Sequence, residues 1–303
     1  RDKLVTGVQT CALPIFGKTI QAIAIACCYM EEWPLLIIVP SSLKNNWRKE
    51  LNRWIPDQAA QINVIDSTRQ CHFAKINIVS YDLIPRIQDQ LEAAQFKVVI
   101  ADESHYLKNR EAQRTQAVVP LLQQAARRIL LTGTPALSRP AELWPQLEAL
   151  GYGIFSTFKQ FGARYCAAWQ GPWGMDYTGS SNLTELHTVL HECVMIRRLK
   201  ANVLTELPDK QRNVIYLETD PNLTEPIKRE MRSQGGWDTI EEQEKKAMMS
   251  QLFMQTGRAK ISAVCAYVMQ LLTAEPSHKL LVFAHHMEVL DGLQQSLEQN
   301  HVS

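Results

Sequence analysis

The amino-acid sequence predicts an α/β fold built on a parallel, doubly wound sheet. Four short apolar runs, at 34–40, 76–82, 96–103 and 127–135, have the length and composition of strands buried on both faces. Longer amphipathic stretches separate these runs, and such alternation is typical of parallel sheets. Polar clusters follow three of the runs. Because ligands bind beyond the carboxyl ends of the strands in such sheets, one edge is predicted to hold a site.

Composition limits the class of protein. The chain has 303 residues, of which 46% are hydrophobic and 21% charged, which is enough for two domains with cores of their own. The formal net charge is +1, so a surface that binds nucleic acid must be local. Seven scattered cysteines argue for a reducing compartment. Without an apolar run of ~20 residues or a signal peptide, we expect a soluble intracellular protein.

The first predicted helix follows the tripeptide Gly17-Lys18-Thr19. A P-loop ends in this way, with a lysine that neutralises the β- and γ-phosphates and a hydroxyl that binds Mg²⁺. The N-terminus of a helix also offers free amides to anions. The tripeptide alone is a weak signal, and a solvated lysine that starts an ordinary helix is the alternative.

An acidic pair follows the third apolar run. Asp102 and Glu103 come directly after Lys-Val-Val-Ile-Ala. At that place one carboxylate can hold a metal ion and the other can orient an attacking water. An N-cap beside an ordinary exposed acid is the alternative. Two motifs in order, each at the end of a strand, favour the phosphate site.

The second half of the chain has a different pattern. Residues 141–195 are rich in aromatic residues and in helical periodicity, and a basic linker follows them. The run at 213–218 predicts a strand, and 223–275 is predicted to be mostly helical. The run at 279–286 predicts another buried strand with a polar tip. It would be the first core strand of a second α/β lobe.

Several motifs, in order along the chain, resemble those of the Swi/Snf branch of superfamily-two helicase-like ATPases: VPSSLKNNW, DESHYLKN, LLTGTP and MIRRLKANVLTELP. Four further stretches more narrowly resemble the annealing-helicase subgroup: EEWPLLIIVPSSL, GTPALSRPAEL, WGMDYTGSSNL and LVFAHH. Members of this subgroup use ATP to rewind single-stranded DNA and to remodel stalled replication forks. The resemblance runs from about Phe16 to the C-terminus.

The resemblance implies two lobes. A RecA-like ATP-binding lobe would span 16–208, with a helical insertion at about 141–195 and a linker at about 195–208. Residues 209–303 would be the truncated start of a second RecA-like lobe.

The resemblance also implies a role for each motif residue. Gly17, Lys18 and Thr19 would bind the phosphates of ATP, and Thr19 would also bind Mg²⁺. Asp102 would hold Mg²⁺, directly or through water, and Glu103 would act on the attacking water. Lys18, Asp102 and Glu103 are thus the implied catalytic residues.

Coupling and DNA binding are assigned by the same resemblance. Hydrolysis would be coupled to movement of the lobes by Ser104, His105, Thr132, Gly133 and Thr134. The DNA backbone would be bound by Ser41, Ser42, Lys44, Arg197 and Arg198. For the two arginines, a solvated face or a brace between lobes is an open alternative. Trp173, in a loop flanked by glycine, is a candidate for stacking on bases.

The residues before Gly17 do not fit this family. The full P-loop pattern has glycine at the position of Ala12, where alanine is strained at positive φ. Pro14 lacks an amide that could face phosphate. Residues 1–15 are therefore interpreted as a non-native segment fused to a truncated gene, and we expect it to make weak or irregular contacts. A degenerate but genuine site is the alternative.

The predicted function is that of an ATP-dependent DNA translocase or annealing helicase. The cofactors implied are ATP and Mg²⁺. The partner implied is DNA that is forked or has junctions between single and double strands. A single-strand-binding protein or a sliding clamp is a further possible partner, through regions absent here. No membrane partner is expected. The chain is expected to be inactive alone, because by resemblance the arginines of the second lobe lie beyond Ser303.

Two alternatives remain open. One is a chromatin remodeller that slides nucleosomes, and the other is a non-catalytic DNA-binding or scaffolding module with a dead P-loop. The predicted location is the nucleus if the source is eukaryotic, and otherwise the cytoplasm.

Overall fold

The structure is a computed structural model that describes residues 7–11, 17–68, 72–136, 138–151, 153, 155–172, 174–198, 212–233, 242–274 and 279–300. The chain divides into two compact units, Arg1–Leu207 and Pro208–Ser303. Among the described residues, no helix has the length and apolarity that crossing a bilayer requires.

A parallel sheet forms the centre of the first unit. Its described strands are β1 (Gly7–Cys11), β2 (Leu35–Val39), β3 (Ile62–Val64), β4 (Ile76–Ser80), β5 (Val98–Ala101), β6 (Arg127–Thr132) and β9 (Met195–Arg197). Their spatial order is β3-β4-β2-β5-β6-β1-β9, and every neighbouring pair is parallel. Parallel pairing of this kind requires crossover connections, which the helices provide.

Burial on both faces explains why the central strands are apolar runs. Every residue of β2, β4 and β5 is buried. Along β2 the side chains alternate between two cores: Leu35, Ile37 and Val39 belong to one, and Leu36 and Ile38 belong to the other. The four predicted strands at 34–40, 76–82, 96–103 and 127–135 are confirmed.

Two helical layers cover the sheet. On one face lie α1 (Lys18–Cys27) and α2 (Lys44–Trp54), whose buried residues join the core of Ile37. On the other face lie α3 (Ile84–Ala93), α4 (Gln113–Gln124), α5 (Trp144–Leu150), α6 (Phe158–Tyr165) and α7 (Leu183–Cys193). A short antiparallel hairpin, β7 (Trp169–Gly171) and β8 (Gly174–Asp176), connects α6 with α7.

An ion pair joins α6 to α7. Arg164 Nε lies 2.6 Å from Glu185 Oε1, and the Tyr165 hydroxyl donates to the same oxygen over 2.7 Å. The hydrogen bonds from Arg164 and Tyr165 lower the pKa of Glu185 to about 2.

The regular secondary structure in the described part of the second unit is helical. It contains α8 (Pro221–Ser233), α9 (Glu242–Ala274) and α10 (Met287–Gln299). A small core joins α8 to α9 through Ile227, Leu252 and Ala259. Helical structure over most of 223–275 is therefore confirmed for the described residues.

Both strands predicted for the second unit are wrong. Residues 213–218 and 279–286 have no strand structure, and Tyr216, Leu281 and Phe283 are almost fully exposed. A strand is stable only when a neighbour takes up its backbone hydrogen bonds. The described residues of this unit offer these two runs no such neighbour.

Two stretches of the first unit also differ from expectation. The predicted non-native segment does not make irregular contacts throughout, because Gly7–Cys11 forms β1 and pairs in register with Arg128–Thr132 of β6. The predicted linker begins as β9, which pairs with the other side of β1. Parallel pairing uses only backbone groups, so a segment of any origin can supply it. The non-native origin of residues 1–15 stays a prediction.

Candidate functional site

Lys18 is the first residue of α1 and follows a glycine with a left-handed backbone. Gly17 has φ 67° and ψ 37°, a left-handed conformation that glycine adopts readily. A Cβ at this position would also come within 3.1 Å of Ile20 Cγ2. β1 precedes Gly17 and α1 along the chain, and residues 12–16 between them, including Ala12 and Pro14, lie outside the described residues.

The ammonium group of Lys18 is buried and has no hydrogen-bond partner within the described part of the chain. The residue is 5% exposed, and its Nζ lies 3.7 Å from Glu103 Oε1. A buried donor without an acceptor is costly. Phosphate oxygens at the N-terminus of α1 would remove that cost.

Asp102 lies directly beyond the end of β5 and takes part in three hydrogen bonds, two of them buried. Its Oδ2 accepts a hydrogen bond from Trp47 Nε1 over 2.8 Å, and its Oδ1 accepts one from the Glu103 amide over 2.9 Å. The Tyr81 hydroxyl donates to its backbone carbonyl over 2.8 Å. Burial raises the pKa of Asp102, and the Trp47 indole lowers it in part. The carboxylate is thus fixed in orientation.

Glu103 has a left-handed backbone, with φ 49° and ψ 49°. Such a conformation is strained for a residue with a side chain, and strain of this kind concentrates at functional sites. It places the carboxylate between two cationic or polar groups: Lys18 Nζ on one side and His105 Nδ1, 3.2 Å away, on the other.

Four of the five predicted coupling residues take part in two short chains of hydrogen bonds. His105 Nδ1 lies 3.1 Å from Thr132 Oγ1, which also accepts from the Thr134 amide over 3.1 Å. Gly133 lies between these two threonines in the loop that follows β6.

In the second chain, the buried Ser104 hydroxyl donates to Gln146 Oε1 over 2.9 Å. Gln146 Nε2 donates in turn to the Pro135 carbonyl over 2.6 Å. The loop after β5 is therefore tied to the loop after β6.

Sequence reasoning missed the residues that orient this site: Trp47, Tyr81 and Gln146. Gln146 is fully buried in α5, and an amide flanked by the apolar residues Pro145 and Leu147 in a helix is the signal that could have found it. Trp47 and Tyr81 are apolar enough to be interpreted as core residues. The polar contact that each makes depends on a partner distant in sequence.

A single cavity of about 430 Å³ joins the phosphate-site residues. It is lined by Gly17, Lys18, Thr19, Ile20, Leu43, Asn46, Glu50, Trp54, Asp102 and Glu103. This volume lies within the range of small-molecule sites. The Thr19 hydroxyl and the Asp102 carboxylate supply oxygen donors, which are the ligands that Mg²⁺ prefers.

The predicted DNA contacts lie in two separate groups. Ser41 and Ser42 are exposed in the turn after β2, and Lys44, the first residue of α2, forms an ion pair with Asp66. Arg197 ends β9 at the other side of the sheet, and Arg198 follows it. Four strand spacings separate β2 from β9, or about 19 Å. Trp173 lies outside the described residues.

Comparison with known proteins gives a consistent result. The family model described as SNF2-related domain matches residues 14–268. The chain is 45% identical over 293 residues to a "SWI/SNF-related matrix-associated actin-dependent regulator of chromatin subfamily A-like protein 1" from Xenopus laevis, covering 94% of this chain and 30% of that protein. It is 42% identical over 306 residues to the human "DNA annealing helicase and endonuclease ZRANB3", covering 94% and 28%. The chain thus spans about a third of the length of these relatives.

Solved structures support the fold. The Sulfolobus solfataricus "SWI2/SNF2 ATPase core in complex with dsDNA" matches with a TM-score of 0.57 and 19% identity over 97% of this chain and 66% of that one. The likeness confirms the RecA-like α/β fold class. The resemblance to the Swi/Snf branch, with relatives among the annealing helicases, is also confirmed. The chain therefore belongs to the SNF2-related domain family.

Proposed function

We propose that this chain supplies the ATP-binding lobe of a DNA-dependent ATPase that translocates on DNA, rewinds single strands and remodels stalled replication forks. The observation that carries the proposal is the buried Lys18 ammonium, which has no hydrogen-bond partner in the described part of the chain and shares one cavity with Asp102 and Glu103. A buried ammonium at the N-terminus of a helix fits a polyphosphate.

The chain's own residues would divide the chemistry between them. Lys18 would bind phosphate oxygens and neutralise charge that develops during phosphoryl transfer. Glu103 would accept a hydrogen bond from the attacking water and orient it, since its carboxylate is held near both Lys18 and His105. Because hydrogen bonds fix the orientation of Asp102, Glu103 is the carboxylate that would be able to move toward the water.

Thr19 and Asp102 are the residues that would hold Mg²⁺. When bound, Mg²⁺ neutralises phosphate charge and orients the leaving group. Burial raises the pKa of Asp102, which favours its neutral form, so the hydrogen bond from Trp47 helps to keep it ionised for the metal.

The nucleotide state would reach the DNA surface through the two chains of hydrogen bonds. Glu103 contacts His105, and His105 contacts Thr132 in the loop after β6. A shift of Glu103 on hydrolysis would change both contacts. The choice of forked DNA over nucleosomes rests on the motifs of the annealing-helicase subgroup and on one relative that is named a DNA annealing helicase. A nuclear location follows for a eukaryotic source, and a cytoplasmic one otherwise.

Binding of a fluorescent ATP analogue to the 303-residue chain tests the proposal. We expect Lys18→Ala to weaken binding at least tenfold, about 1.4 kcal/mol, because it removes the buried charge. We expect Glu103→Gln to bind as the wild type does, because it leaves that charge in place. Lys159→Ala, an exposed lysine on α6 outside the cavity, is the control.

Two outcomes would contradict the proposal. Equal affinity of the wild type and Lys18→Ala would favour a non-catalytic module with a dead P-loop. Preferential capture of nucleosomes over forked DNA, in direct competition for the chain, would favour a chromatin remodeller.

A further inference from the structure

Two exposed histidines lie one turn apart on α7, in the first unit. His187 and His191 are four residues apart, so they are neighbours on the same side of the helix. Their ring centroids are 6.3 Å apart, and their ring planes differ by 17°. Both residues are exposed to solvent. None of the roles assigned above uses either imidazole.

The helix that carries this pair is held by packing on an adjacent side. Leu186 and Leu190 of α7 are buried in the core of the first unit. In the first turn of α7, Glu185 forms the ion pair with Arg164 of α6. A site built on a helix is held more precisely than a site on a loop. The spacing of the two histidines is therefore set by a regular and anchored backbone.

A carboxylate determines which nitrogen of His191 is free to bind a ligand. His191 Nδ1 lies 2.9 Å from Glu192 Oε1. An ionised carboxylate only accepts hydrogen bonds, so the proton of the neutral imidazole is on Nδ1 and the lone pair is on Nε2. Histidines that bind metal ions have this arrangement, in which an acceptor behind the ring fixes the tautomer and raises the basicity of the other nitrogen.

Cys193, the last residue of α7, lies on another side of the helix. It is exposed, but it is two residues beyond His191 and therefore about 200° around the helix axis. Among the residues that the structure describes, no three or more histidine, cysteine, aspartate or glutamate side chains are grouped so that they could hold a metal ion. An ion bound to this pair would therefore have two protein ligands, with water in its other positions.

We propose that His187 and His191 chelate a divalent transition-metal ion of the class of Zn²⁺ and Ni²⁺, with Nε2 as the ligand atom of His191. Imidazole suits these ions, whereas Mg²⁺ and Ca²⁺ prefer oxygen ligands. Two histidines four residues apart on a helix are a known zinc-binding pair.

The geometry of the pair is close to what chelation requires. With each nitrogen about 2.0–2.1 Å from a tetrahedral ion, the two ring centroids would be about 5 Å apart. The observed separation of 6.3 Å must therefore shorten by about 1 Å. Rotation of two exposed side chains can supply this movement without a change in the backbone.

This inference goes beyond the proposed function and shares no residue with it. An ion held by both histidines would join two successive turns at the C-terminal end of α7, which leads into β9. Because the ion would bind the folded helix and not the unfolded chain, it would stabilise this end of the insertion.

Calorimetric titration of NiCl₂ into the 303-residue chain tests the proposal. Ni²⁺ is the probe because it suits imidazole, whereas Zn²⁺ also suits the free thiols of the chain. We expect His187→Gln and His191→Gln each to lower the affinity for Ni²⁺ by about tenfold or more. The double variant should bind Ni²⁺ no more weakly than either single variant, because a single remaining histidine cannot chelate. An excess of Mg²⁺ should not compete.

Matched variants separate chelation from other kinds of binding. His72→Gln removes an exposed imidazole outside α7, and Cys193→Ser removes the thiol at the end of α7. Both should keep the wild-type affinity for Ni²⁺. Glu192→Ala should lower this affinity severalfold, and Glu192→Gln should restore most of it, because its amide oxygen can still accept from His191 Nδ1. Far-UV circular dichroism checks that the helix content of each variant is unchanged.

Three outcomes would overturn the proposal. Equal Ni²⁺ affinity of the wild type and His187→Gln would show that the pair is not a metal site. Additive losses in the two histidine variants would mean two independent ligands and no chelate. A loss in Cys193→Ser as large as that in His191→Gln would assign the ion to the thiol. Lys18→Ala should bind Ni²⁺ as the wild type does, so the failure of this proposal and the failure of the proposed function are distinguishable.

Discussion

Replacing Trp47 by phenylalanine removes the indole N–H that donates to Asp102 Oδ2 over 2.8 Å. Trp47 is fully buried and Asp102 is 6% exposed, so water replaces the lost donor poorly. A hydrogen bond to a charged group contributes about 1.5–3 kcal/mol. The smaller ring also leaves a void that costs about 1 kcal/mol. We expect the free energy of unfolding to fall by about 2.5–4 kcal/mol.

The same helix provides a matched control. Trp54 Nε1 donates to Glu50 Oε2, also over 2.8 Å, but Trp54 is 43% exposed and water can reach both partners. An exposed pair four residues apart on a helix contributes about 0.2–0.5 kcal/mol. Trp54→Phe should therefore change the free energy of unfolding little, although the two hydrogen bonds have equal length.

Urea unfolding followed by circular dichroism measures both variants, and pH provides a second test. Burial raises the pKa of Asp102, and the Trp47 hydrogen bond opposes that effect by favouring the ionised form. The cost of Trp47→Phe is therefore complete above the pKa of Asp102 and decreases as pH falls through it. Equal losses in the two variants, or a loss in Trp47→Phe that grows toward acid, would refute this reasoning.

Two further predictions concern the structure around the insertion. Gly151 has φ 65°, and a Cβ there would clash with Arg128 Nη1. Gly151→Ala should therefore lower the free energy of unfolding by about 1–3 kcal/mol. A Cβ at Gly153 would meet no atom within 4 Å, so Gly153→Ala should change this free energy by no more than about 0.5 kcal/mol. Glu185, with its pKa lowered to about 2 by Arg164 and Tyr165, stabilises the fold above its ordinary value of 4.5, and that contribution is lost as pH falls through about 2. Between pH 4.5 and about pH 2, the thermal midpoint of Glu185→Gln should therefore depend less on pH than that of the wild type. If both proteins show the same dependence on pH, the stabilising role of Glu185 is refuted.

The central strands could be predicted from sequence because they are buried on both faces. A run such as 35–39 must be continuously apolar to fill two cores, which leaves few alternatives. That the phosphate-site residues lie close together could also be predicted from sequence. The carboxyl ends of parallel strands meet at one edge, so Lys18 and Asp102 could be expected in the same cavity.

The short strands could not be predicted in the same way. β3 and β9 have three residues each, too few to show periodicity, and β1 has no apolar run. Conversely, the apolar runs at 213–218 and 279–286 have the composition of strands but find no neighbour among the described residues of their unit. Strand structure depends on a partner as well as on the residues of the strand itself.

The pairing of β1 also decides which backbone groups of the sheet meet solvent. β1 lies between β6 and β9 and pairs with both strands. Without Gly7–Cys11, β6 would become an outer strand with a row of unpaired N–H and C=O groups. Such an edge is a template for pairing with another chain. Whatever the origin of these five residues, they occupy the backbone edge of β6 that another chain could otherwise pair with.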